Sequence, residues 1–212
     1  MCAVGTSDVT HAAGPTLFRT YDVAKNKEYN CTIWEAARAT SAAPTFFKRI
    51  KIGPSGSRIE YIDAGLGYNN PTMQVIEEAA RVFGEDSQIA CIVSIGTGQS
   101  GSVGYASPDA FQKWLPIGLV EVLKKISTDT SKTAEEMEKR YRNLPGIYYR
   151  LNVDRGLQSV SLDEWRRLGD VRAHTKNYMK LEVINRRVDG VVNALTGSTA
   201  HQTYQLGQLG SL

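Results

Sequence analysis

The sequence predicts an α/β fold: a layered domain with a mostly parallel central sheet flanked by helices. Three observations point there. Short β-type runs alternate with helical segments through most of the chain. One run, IACIVSIG (89–96), is continuously apolar, as a parallel strand buried on both faces would be. The 212 residues are 42% apolar and 22% charged, an ordinary balance for one globular domain.

The elements follow in order. MCAVG (1–5) reads as a buried strand and TLFRTYDV (16–23) as a partly alternating one. TIWEAARAT opens a helix, because Thr32 and Glu35 have capping-box spacing and Ala36, Ala37 and Ala39 favour helix. Pro44 ends it near Ala42 or Ala43. After a Gly/Ser/Pro turn at 53–57, RIEYID forms a short strand that ends on Asp63. Asn70 reads as an N-cap and Pro71 as the first residue of the helix PTMQVIEEAARVF, which Gly84 stops.

Beyond the 89–96 strand, GTGQSGSVGYASP reads as a loop. An apolar stripe over 111–126, broken by Pro116, suits a helix packed on the sheet or, with Trp114 among lysines, a lipid-facing surface. Residues 131–142 read as a charged, exposed helix, and GIYYRLNV as another strand. SLDEWRRLGDV and TKNYMKLEVINRRVDGVVNAL read as two helices, the second broken near Gly190. Domain-like patterning spans 1–196, and the polar tail 197–212 is expected to be disordered.

Composition excludes several function classes. The net charge of +3 is small and its Lys and Arg residues are scattered, which argues against nucleic acid. Cys2, Cys31 and Cys91 are far apart and odd in number, which argues against a disulfide framework and fits a reducing, cytoplasmic setting. Cys31 and Cys91 read as small core residues. His11, His174 and His201 lack ligand spacing, so neither a metal nor another cofactor is expected. No window reaches the ~18 apolar residues of a membrane span, so any membrane association would be peripheral. Trp34 and Trp165 read as core or partly buried packing residues.

Chemistry is expected at the carboxyl ends of strands, and two ends stand out. Gly96-Thr97-Gly98 reads as a tight turn after one strand. The other is Asp63 in YIDAGLGYNNP, where Gly65 and Gly67 let the chain turn. Asp63 has two readings: a turn carboxylate that bonds nearby N–H groups, or a base that orients or deprotonates a hydroxyl.

WEAARATSAAPTFF, YIDAGLGYNNP and VSIGTG, in this order, resemble the patatin-like phospholipase family. The later block YYRLNVDRGLQSVSLDEW resembles fungal members of that family, and the likeness covers roughly residues 1–185. The resemblance implies an α/β acyl hydrolase that cleaves lipid esters with a serine–aspartate dyad. It implies a GxSxG elbow for the serine and a glycine-rich oxyanion loop. It assigns Asp63 as the proton acceptor and Ala64 and Gly65 as the rest of its motif. Ala64 stands where the family usually has glycine. A positive φ there would cost on the order of 1 kcal/mol.

GxSxG occurs nowhere in the 212 residues. Near misses are GTSDV, GPSGS and GQSGS, and Ser7 of the first lies after the elbow helix in family order. The expectation is therefore a partial domain, with the N-terminal part of the fold missing and the serine on the missing segment or on another chain. A lipid substrate or membrane surface is the expected partner. The alternative is a truncated, catalytically inactive relative that binds a lipid or a protein.

Overall fold

The computed structural model describes residues 3–8, 15–22, 30–43, 46–98, 130–158, 160, 164–197 and 202–210. They fall into two compact units, one built from described residues within 3–71 together with Thr130 and the other from those within 72–98 and 131–210. The 111–126 stripe with Trp114, and Cys2, His11, Pro44 and His201, lie outside the described residues.

The first unit contains β1 (Ala3–Asp8), β2 (Pro15–Arg19), α1 (Ile33–Thr40), β3 (Ile50–Ile52), β4 (Ile59–Asp63) and the one-turn helix α2 (Gly65–Tyr68). Its sheet runs in the order β2-β1-β4-β3, and each neighbouring pair is antiparallel. Short connections impose this on β1–β2 and β3–β4, because a parallel crossover needs a dozen or more residues. The Gly/Ser/Pro turn is a hairpin loop, in which Gly53 and Gly56 adopt φ of 120° and 93°. β3 was not apparent in the sequence, since IKI is too short and too charged at its centre to read as a strand.

α1 starts as its capping box predicts. Thr32 Oγ1 accepts from Glu35 N–H, and Glu35 Oε2 accepts from Thr32 N–H at 2.8 Å. The helix ends at Thr40, two residues before Ala42, with Ser41 donating to Ala37 O at 2.8 Å. Its inner face is small: Ala39 is fully buried and Ala36 packs beside it, so the helix lies close on the sheet. Phe18, Ile52 and Tyr61 complete that core, with Phe18 and Tyr61 edge-to-face at 5.2 Å. Cys31 packs against the same core.

The second unit contains α3 (Thr72–Phe83), β5 (Gln88–Ile89), β6 (Ile92–Ile95), α4 (130–140), β7 (Tyr148–Leu151), a 3-10 turn (Trp165–Arg167), α5 (Leu168–Met179), α6 (Glu182–Leu195), β8 (Tyr204–Gln205) and α7 (Leu206–Gly210). α3 begins one residue after Pro71 and stops at Gly84, whose φ is +85°. β6 pairs with β7 in parallel, and β5 pairs with β8 antiparallel.

Three expectations change here. The mostly parallel central sheet is absent among the described residues: β6–β7 is the one parallel pair there. The 89–96 run is two strands, and in β6 only Ile92 and Ser94 are buried while Val93 and Ile95 are exposed. The tail does not fray over 202–210: Tyr204, Leu206 and Leu209 are buried with Ile76, Ile92, Met137, Tyr141 and Ile147 in one core. Those three apolar residues, spaced through a polar segment, supply the burial that anchors it.

The predicted break near Gly190 is also displaced. The chain turns at Lys180 and Leu181, and Gly190 lies inside α6. A Cβ at Gly190 would approach Tyr149 Oη to 2.5 Å, so the glycine permits close packing of α6 on β7. The charged helix expected over 131–142 is α4, which ends at 140, and Met137 within it and Tyr141 just after it are buried.

Candidate functional site

Asp63 is the last residue of β4, an inner strand of the first sheet. Its place is fixed from three sides. It stands opposite Thr6 of β1 in the strand register. Its N–H donates to Ala42 O at 3.2 Å, which ties it to the end of α1. Its Oδ1 accepts from Gly65 N–H at 2.7 Å.

That last bond explains the motif. The two residues after Asp63 are not a loose glycine turn: Ala64 precedes, and Gly65 opens, the single turn of α2. Ala64 has φ −70° and ψ −5°, an ordinary right-handed conformation, so its Cβ imposes no strain. Gly65 is needed for space instead. A Cβ there would lie 3.2 Å from Asp63 Oδ1 and 3.7 Å from Asn69 Oδ1. Gly67 lies within the same turn.

The carboxylate is half-buried. Burial pushes its pKa above the ordinary aspartate value, and the Gly65 N–H opposes that rise. Among the described residues, Oδ2 makes no hydrogen bond. Asp63 is thus a carboxylate fixed through one oxygen, with its pKa raised by burial. Such a group can take a proton from a hydroxyl. Ser7, one of the serine near misses, is the penultimate residue of β1 and stands opposite Ile62 and Pro15 in the strand register.

The second predicted end behaves as a turn. Gly96 N–H donates to Leu151 O at 2.8 Å, and Gly98, at φ 112°, donates to Asn152 Oδ1 at 2.8 Å. A Cβ on Gly96 would collide with the Asn152 and Arg150 side chains. Ser94, just before the turn, bonds to Thr72 at 3.1 Å and to Arg150 at 2.9 Å, an unforeseen buried polar cluster. No periodicity marks it, because its three members come from three separate elements.

Other candidates find structural roles. His174 lies against Gly156 on α5. Among the described residues no group of three His, Cys, Asp or Glu is placed to hold a metal, and no helix is long and apolar enough to cross a membrane. Trp34 and Trp165 are not packing residues: they are 65% and 69% exposed. In α1 the buried face is the alanine face, which turns Trp34 outward. An apolar hollow lined by Ala79, Phe83, Ile89 and Leu206 lies within the second unit and does not involve Asp63.

Comparison with known proteins adds a family signal. The patatin-like phospholipase family model matches residues 1–76, a span that includes Asp63-Ala64-Gly65. The rat 85/88 kDa calcium-independent phospholipase A2 is 29% identical over 185 residues, covering 70% of this chain and 22% of the relative. Phospholipase A I of Arabidopsis thaliana is 31% identical over 135 residues, 62% of this chain and 9% of its own length. The cUMP-AMP-activated phospholipase of Escherichia coli is 24% identical over 144 residues, 65% of this chain and 43% of its own length. The chain therefore spans about a fifth of the rat relative it matches. No solved structure matches it significantly.

Proposed function

Starting from a chain that resembles the patatin-like phospholipases and carries their family match over residues 1–76, we propose that it is the aspartate-bearing part of a lipid acyl hydrolase. Asp63 is the proton acceptor of a serine–aspartate dyad. The serine is supplied by a segment outside these 212 residues, on the same longer chain or on another one. Phospholipids or other acyl lipids are the substrate class.

The observation that carries this reading is the state of Asp63. A carboxylate at the end of an inner strand is pinned through one oxygen by Gly65 N–H and is made more basic by burial. A purely structural turn carboxylate gains nothing from a raised pKa, whereas a base does. In the dyad, Asp63 takes the serine proton as the hydroxyl oxygen attacks the ester carbonyl. It returns that proton to the leaving alcohol, and water then releases the acid by the same path. Peripheral contact with a membrane and a cytoplasmic setting accord with this substrate class.

The test is labelling with a serine-directed fluorophosphonate. This chain alone is expected not to label. Fused behind a segment with a glycine-rich loop and a GxSxG turn, it is expected to label and to release fatty acid from phospholipid, and Asp63→Asn is expected to abolish both. A fusion that folds, binds lipid and never labels would favour the inactive, lipid-binding alternative.

A further inference from the structure

The first unit exposes an unusual amount of apolar surface at one place. Ile33 is 85% exposed, Trp34 65% and Phe47 59%. Single exposed apolar residues need no explanation, but these gather along α1 as a strip, with Ile33 and Trp34 in its first turn and Phe47 against Arg38. Trp34 and Arg38 are one turn apart on the outer face of α1. The Arg38 guanidinium lies 5.6 Å over the Phe47 ring and donates to Lys48 O. Ile33 adjoins Trp34 at the first turn.

The strip is framed by positive charge. Lys48, Arg49, Lys51 and Arg58 are all exposed. Arg49 is engaged by Glu60 at 3.3 Å, and Arg58 is near enough to Glu35 to lower its pKa. Arg38 is held by Phe47 and Lys48, and among the described residues its buried Nη1 makes no hydrogen bond. The bond to Lys48 O lies at the exposed surface, so the guanidinium charge is within reach of an anionic oxygen. Aromatic and aliphatic side chains ringed by basic ones match the headgroup level of an anionic bilayer.

We propose that the outer face of α1, with Phe47 and Lys48, is the surface by which this unit settles on an anionic phospholipid membrane. Ile33, Trp34 and Phe47 enter the interface, and Arg38 takes a lipid phosphate oxygen. The inference rests on the lipid-hydrolase reading and extends it to the orientation of the protein on its substrate. Ala42, two residues beyond the end of α1, accepts from the Asp63 N–H, so one backbone hydrogen bond links the segment after the docking helix to the proposed base.

The test is co-sedimentation of this chain with phosphatidylglycerol vesicles and with phosphatidylcholine vesicles. Binding to the anionic vesicles, weakened by salt, is expected. Trp34→Ala with Phe47→Ala should reduce it at least tenfold. Arg38→Gln should erase the preference for anionic lipid, and Trp165→Ala should leave binding unchanged. All four positions are exposed or half-exposed, and a circular dichroism melt checks that each variant folds. Binding lost in Trp165→Ala but kept in the double variant would overturn the proposal. So would a chain that ignores vesicles and self-associates through the strip, dissociating on the double substitution. Asp63→Asn in the fluorophosphonate-reactive fusion separates the two ideas. If it stays active while the vesicle pattern holds, the dyad reading fails and the docking surface stands. If vesicle binding fails while Asp63-dependent hydrolysis of a soluble ester persists, the reverse follows.

Discussion

Asp63 and Gly65 are joined by a 2.7 Å hydrogen bond from the glycine N–H to the aspartate Oδ1, across a backbone that has just left β4 and entered α2. The bond fixes the carboxylate, and its companion, burial, raises the carboxyl pKa. A carboxyl whose folded pKa lies above its unfolded one contributes stability at pH values below the unfolded pKa. That contribution is lost as pH rises through the folded value. Asp63→Asn keeps an acceptor for Gly65 and removes the charge. At pH 7 the variant is expected to melt higher than the native chain, on the order of 1–3 °C. Below about pH 3, where the native carboxyl is neutral, the two should converge. A differential scanning calorimetry series across pH checks the crossover.

Restoring glycine at position 64 is expected to harm rather than help. Ala64 is buried and right-handed, so Ala64→Gly relieves no strain and adds freedom to the unfolded chain. A cost of roughly 0.5–1 kcal/mol in urea unfolding is expected. Gly65→Ala has the opposite profile. Its Cβ would press on Asp63 Oδ1 at 3.2 Å. Stability should change by less than about 1 kcal/mol, since alanine favours the helical backbone. Activity of the fluorophosphonate-reactive fusion should fall at least tenfold.

The start of α1 depends on two side chains. Thr32→Ala removes the acceptor for Glu35 N–H and is expected to cost about 1 kcal/mol. Glu35 is held below the ordinary glutamate pKa by the Thr32 N–H and hydroxyl. Its contribution is therefore present above the unfolded pKa and fades as pH falls through the folded one. Glu35→Gln should flatten the pH dependence of the melting temperature between about pH 3 and 5.

Gly190→Ala tests why α6 carries a glycine. In an isolated helix alanine would be preferred by about 1 kcal/mol. Here the added methyl meets Tyr149 Oη at 2.5 Å and ring atoms near 3.0 Å. A net loss of about 1–3 kcal/mol is expected from overpacking. Combining it with Tyr149→Leu should recover most of that loss, as a double-mutant cycle on urea midpoints would show.

Local signals in the sequence were the legible ones. Thr32 with Glu35 marked the start of α1, Gly84 marked the end of α3, and RIEYID marked the strand that delivers Asp63. What depends on distant partners was not legible. Strand direction follows from which strands meet, so β1, β3 and β4 gave no hint of their antiparallel order. Gly190 suggested a break because its neighbour Tyr149 is far away in sequence. Gly65 suggested a loose turn because glycine's usual role hid the need for space beside a carboxylate. The tail seemed polar because only three residues, Tyr204, Leu206 and Leu209, do its packing.

β4 has a neighbour on each side, and Tyr61 pairs with Ile50 of β3 and Asp8 of β1 alike. In such a sheet the outer strands β2 and β3 lose their amide protons to solvent first, and the inner strand last. The Asp63 amide, closed by Ala42, is expected to exchange among the slowest of its unit in a hydrogen-exchange measurement. On the proposed function, the acid is then held in position before substrate binds. Its orientation persists for as long as the first unit remains folded.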